Sequence, residues 1–194
     1  MLLPRILPVL IDKLTNHFRC VFTGTPALVE AARAALTDLG VDTTAEIRKG
    51  SLELSSDRNH LKEGVFDTAR MIHMIWDAVE KASRDGYRGY WGTGDITWEF
   101  GAEKNLEKLL TYESQLELLF RAKPQLSGVC QYRKDSLPFY ILGDALFTHP
   151  GVCLHPRQPR VNPYFVSPEI LLKPPIPKMH SRDIEAALKQ VVNG

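Results

Sequence analysis

Charge of one sign is missing from this sequence: 24 Lys and Arg stand against 23 Asp and Glu, a formal net charge of +1. A chain without a one-signed field lacks the electrostatic footprint for nucleic acid or an anionic membrane surface. Neither is expected as a direct partner. Cysteine is scarce: Cys20, Cys130 and Cys153 are odd in number, widely spaced and form no CxxC pair. That argues against a disulfide scaffold and fits a reducing, cytoplasmic setting with thiols buried as small hydrophobes. Long apolar runs are also missing. The opening MLLPRILPVLIDKL is broken by Pro4, Pro8 and Asp12 and has no small-residue cleavage site, so a signal peptide is not expected. No uncharged run is long enough to span a bilayer. Phosphate-binding loops are absent as well, with neither a GxxxxGK motif nor a GxGxxG after a strand. The nearest approach, Thr23-Gly24-Thr25-Pro26, has one glycine and no lysine, and Pro26 removes an amide that an anion would need. No nucleotide or other cofactor is expected.

What is present is a regular alternation of strand and helix patterns over 194 residues, enough for one domain with a real core. A helix is predicted over about residues 5–17 and a buried strand over Arg19–Thr23. Pro26 suits the first turn of a helix that Gly40 ends. A short helical piece near Thr44–Lys49 precedes the strand SLELSS. Asp67 can cap the next helix, whose apolar face takes in Phe66, Ala69, Ile72, Ile75, Trp76 and Val79. The strand YRGYWGT, a helix over about 103–120, the strand SGVCQY, a helix near 136–147 and the strand GVCL follow. This order predicts a three-layer α/β domain, a mostly parallel sheet with helices on both faces.

After His155 the texture changes, with seven of the thirteen prolines between Pro156 and Pro177. The expected division is an α/β domain over residues 1–155 and a Pro-rich arm with a terminal helix over 156–194. Ile184, Ala187, Leu188 and Val191 share one side of that helix, which can dock on its own domain or pair with a partner.

Several residues are candidates for chemistry. Ligands in open parallel sheets bind beyond the carboxyl ends of the strands, where Asp95 follows flexible glycines and precedes Trp98. The pair reads as a polar anchor beside an aromatic wall, or equally as a helix cap and a core residue. Glu113 falls at the centre of the stripe Leu106, Leu109, Leu110, Leu116 and Phe120. A carboxylate there is costly unless partnered, so Glu113 is expected to be buried, paired and near a pocket. Cys130-Gln131-Tyr132 ends a strand and offers directional hydrogen bonds, although a buried Cys is more often inert. The pairs His17/Cys20 and His149/Cys153 have ligand chemistry, but residues three or four apart on a strand do not face one point. No metal is expected.

With these motifs in hand, the middle of the chain resembles the MEDS family, a sensory domain of methanogens, methylotrophs and bacterial signalling proteins. The matching pieces are Phe66-Asp67, Arg70-Met71, Asp85–Gly89, Thr93–Trp98, Leu110–Glu113 with Leu116, Cys130–Tyr132, Thr148–Pro150 and Asn162–Phe165. The resemblance implies a relative of the RecA/KaiC-like P-loop fold without a functional P-loop. It also implies sensing of a small organic ligand and output to a histidine kinase or a DNA-binding transcription regulator. Asp95, Trp98, Glu113, Cys130, Tyr132 and His149 carry over as candidates for the sensing pocket. Departures are Asp95, where the family usually has Glu, a start near the first helix without the family's first strand, and no output region after Phe165. The leading expectation is therefore a non-catalytic sensor. A protein-interaction or scaffold subunit that has lost its ligand, with homo-oligomerisation open to it, comes second. An enzyme using Glu113 or Cys130 comes last, because no nucleophile–base pair or cofactor motif accompanies either.

Overall fold

The computed structural model describes residues 3–56, 61, 63–96, 107–133, 135–153 and 159–193. Its centre is one parallel sheet of β1 (Arg19–Gly24), β2 (Leu52–Ser56), β3 (Tyr90–Asp95) and β4 (Leu126–Gln131), in the order β2-β1-β3-β4. All four carboxyl ends therefore lie along one edge. Side chains alternate across the sheet. Cys20, Phe22, Leu52 and Trp91 face α1 (Leu3–Thr15) and α2 (Pro26–Asp38), and Leu7, Leu10, Ala32 and Leu36 complete that core. Tyr90 and Leu126 belong to the other core, with α4 (Thr68–Arg84) and α5 (Glu107–Ala122). The result is the three-layer α/β arrangement that the alternation of patterns predicts.

Local chemistry sets the helix ends. The Thr25 side chain accepts from Leu28 N at 3.3 Å, and Pro26 occupies the first turn of α2. Asp42 caps the short helix α3 (Thr43–Lys49) through Ala45 N at 2.9 Å. Asp67 caps α4 through Arg70 N at 2.9 Å.

Two sequence expectations need correction. Four of the six residues expected on the apolar face of α4, Phe66, Ile72, Ile75 and Val79, do pack in its core, joined on α4 by Met71, Ala78 and Ala82, while Ala69 is exposed and Trp76 is 40% exposed. The helix is rotated from the expected stripe, away from Ala69 and Trp76 and toward Met71, Ala78 and Ala82. Trp76 serves at the rim instead, where the Lys123 ammonium stands 3.7 Å from its ring centroid. The strand GVCL does not join the parallel sheet. Its described part, β5 (Gly151–Val152), pairs antiparallel with β6 (Arg160–Val161) in a separate ribbon. A two-residue strand carries no periodicity from which its partner could be read.

Beyond the ribbon come the short helix α7 (Pro168–Leu171) and the terminal helix α8 (Ser181–Asn193). Of the two dispositions open to the terminal helix, the structure shows docking on its own chain. Ile184, Ala187 and Val191 are buried, and Ala187 and Val191 pack with Leu146 of α6 (Phe139–Thr148). Gly143 makes this approach feasible, because a Cβ there would stand 2.7 Å from Ile184 Cδ1.

Asp144, one residue along, lies in the same partly dry region. Burial raises its carboxyl to about 6, with the Lys178 ammonium pulling the other way. Between the ordinary value of 3.8 and that raised value, the folded protein binds a proton that the unfolded chain has released. Stability should therefore fall as pH rises through this window and stay at the lower level above it. Asp144→Asn should flatten that slope and gain about 1–3 kcal/mol at neutral pH. Urea melts of both proteins across the window check it, and parallel profiles would refute it.

Candidate functional site

Glu113 lies in α5 between Leu109 and Leu116 and is 3% exposed. Its place in the apolar stripe turns it toward the sheet, where three groups meet it. The Tyr132 hydroxyl donates to Oε1 at 2.8 Å. The Cys130 thiol lies 3.6 Å from Oε2, and His149 Nε2 lies 3.4 Å from the same oxygen. Cys130 is the penultimate residue of β4 and Tyr132 follows its end, so strand alternation sends both to the α5 side.

His149 caps the C-terminus of α6, in extended backbone. Its Nδ1 stands 2.9 Å from the Ala145 carbonyl, which can only accept, so Nδ1 carries a hydrogen and Nε2 is the atom aimed at Glu113. Burial opposes charge on this imidazole. The field of Glu113, its hydrogen bond and the Ala145 carbonyl outweigh that and raise His149 above its ordinary value. The Tyr132 and His149 rings meet edge to face at 5.4 Å. Buried Asn162 holds the turn in place. Its amide donates to the Leu146 and His149 carbonyls, the latter at 2.7 Å, and its Oδ1 accepts from Tyr164 N at 3.0 Å.

Four of the six candidate residues, Glu113, Cys130, Tyr132 and His149, are thus brought into one cluster. Asp95 stands apart. It ends β3 opposite Gln131, and Gln131 Nε2 donates to Thr93 Oγ1 at 2.8 Å, so alternation places Thr93, Asp95 and Gln131 on the sheet face away from Cys130. Asp95 is 1% exposed, and the Arg133 guanidinium approaches its Oδ2 at 3.9 Å. Trp98 lies outside the described residues.

A cavity of about 320 Å³ lies under α4 and α5, walled by Met71, Met74, Ile75, Tyr112, Leu116 and Phe120. Its floor is the sheet itself at Gly92, Gly94 and Gly128, and Cys130 closes one side. Gly92 pairs with Gly128 across β3 and β4, so two neighbouring positions lack side chains on the face where Tyr90 and Leu126 are large. The space exists because these residues fill nothing.

Reading along the sequence missed Arg133, Asn162 and the glycine floor. The signal for the floor was present as glycines at alternate positions 92 and 94, which strand periodicity puts on one face. The bond of Asn162 to Tyr164 N is local, but its carbonyl partners lie thirteen and sixteen residues back, so its anchoring role has no local signal.

The three-layer α/β domain thus carries a glycine-floored cavity on one face of its parallel sheet, beside a half-buried cluster centred on the buried Glu113. The chain belongs to the MEthanogen/methylotroph, DcmR Sensory domain family, MEDS, whose family model matches residues 2–150. It is thus a member of a family of sensory domains. No curated protein and no solved structure matches the chain. Among the described residues, no helix is long and apolar enough to cross a membrane.

Proposed function

We propose that this chain is a non-catalytic sensor that binds a small organic molecule in the glycine-floored cavity and relays its presence to a partner histidine kinase or transcription regulator. The cavity carries the reading. Its volume of about 320 Å³ suits a small ligand, and its walls are mostly apolar and aromatic, with Met71 and Met74 as adaptable surfaces and a few polar groups such as Thr93 and Ser127. Membership of a sensory family supports the same role. The Glu113 carboxylate is held by groups of the chain itself, an arrangement suited to positioning rather than to turnover.

Relay has a physical route in α5. Tyr112, Leu116 and Phe120 wall the cavity, and Glu113 on the same helix meets His149 at the end of α6. A ligand that fits one position of α5 better than another shifts the population toward it. The test is thermal melting with a probe series of benzene, toluene and short alkyl alcohols. At least one probe should stabilise the native chain, and none should stabilise Ala78→Leu, whose added side chain enters the cavity from α4. A series with no stabilising member would count against the sensor reading and leave an interaction subunit in its place.

A further inference from the structure

We propose that Glu113, Cys130 and His149 form a binding site for a divalent transition-metal ion of the zinc class. They offer one carboxylate oxygen, one sulfur and one imidazole nitrogen, all within 4.8 Å of one another. This mixed donor set suits zinc and its neighbours rather than calcium or magnesium.

The distances that hold these groups around Glu113 also fit a shared ion. An ion held tetrahedrally by S at about 2.3 Å and by N and O at about 2.0 Å separates S from O by about 3.5 Å and N from O by about 3.3 Å. The structure holds Sγ 3.6 Å and Nε2 3.4 Å from the same Oε2. A charge-assisted N–H···O bond closes to about 2.7–2.9 Å. The imidazole and the carboxylate stand farther apart than that, at the spacing of two ligands on one centre.

The groups behind the donors are also those that metal ligands use. His149 Nδ1 is committed to the Ala145 carbonyl, which fixes the tautomer and leaves Nε2 for coordination. Tyr132 occupies Oε1 and leaves Oε2. Asn162 secures the His149 backbone. Three protein ligands leave a tetrahedral ion one further position, filled by water or by an external donor. Coordination needs the thiolate and the Nε2 lone pair, so the thiol proton, and any proton on Nε2, leave to solvent as the ion binds.

The experiment uses the full chain, stripped with a chelator and titrated with cobalt(II) alone and then with zinc(II). About one equivalent of cobalt should bind, giving tetrahedral ligand-field bands and a thiolate-to-cobalt charge-transfer band that zinc abolishes. Cys130→Ser should lose the charge-transfer band. His149→Gln should weaken affinity at least roughly 100-fold, and Tyr132→Phe roughly 10-fold, through the carboxylate that it orients. Cys153→Ser should change nothing. No charge-transfer band in the native chain, or a band that persists in Cys130→Ser, would overturn the proposal and leave the three groups as hydrogen-bond partners of Glu113. The native spectrum decides even where a variant fails to fold. The cobalt titration is run without the organic probes and the probe series without added metal, so either result can fail alone.

Discussion

Gly128→Ala should leave little folded protein, or a fold weaker by more than about 3 kcal/mol. A Cβ at this position would stand 2.5 Å from the Gly92 carbonyl oxygen. That oxygen belongs to the backbone of the neighbouring strand, so it cannot swing aside as a side chain would. The same Cβ would meet Phe120 Cζ at 3.5 Å, which blocks retreat toward α5. Relief requires β3 and β4 to separate, and with them the centre of the sheet. Gly92→Ala is the graded control: its Cβ meets Val21 Cγ1 at 3.3 Å, a side chain with room to give by a few tenths of an ångström. Urea melts of the two variants should differ by about 2 kcal/mol or more. Equal and small losses would show that the strands tolerate the contact.

Asn162→Ala should be the most damaging change outside the sheet, at about 2–4 kcal/mol. One buried side chain serves the carbonyls of Leu146 and His149 and the amide of Tyr164. Alanine leaves all three groups without this partner, buried at Leu146 and half-buried at His149 and Tyr164, and each costs some or all of its desolvation. Asn162→Asp is informative beside it, because it keeps the acceptor for Tyr164 and sets oxygen against oxygen at Leu146 and His149. It should be at least as damaging as alanine. A loss under about 1 kcal/mol in both variants, read from urea melts, would mean that water replaces the amide.

Much of the fold was legible because its signals are local. The order of strands and helices follows from punctuation by Gly24, Pro26, Gly40, Asp67 and Gly86 and from the periods between them. Glu113 was legible as a buried carboxylate because its place in a helical stripe is a matter of arithmetic. Its partners were not, since Cys130, Tyr132 and His149 reach it from seventeen to thirty-six residues away. The separation of Asp95 from that cluster depends on strand register, which one-residue alternation settles only once β3 and β4 are paired. The partner of β5 and the rotation of α4 depend on packing across the domain. The cavity is the extreme case: it is made by side chains that are missing, and only pairing shows that Gly92 and Gly128 are adjacent.

Cys130 lines the cavity, and its sulfur touches Glu113. Occupants of the cavity and of the cluster would share the Cys130 side chain and so be coupled through it. Whatever factor a guest in the cavity imposes on the affinity of the Glu113 cluster, an occupant of the cluster must impose on the guest. The thiol is thus the point at which two chemical inputs, one apolar and one ionic, would be combined into a single response.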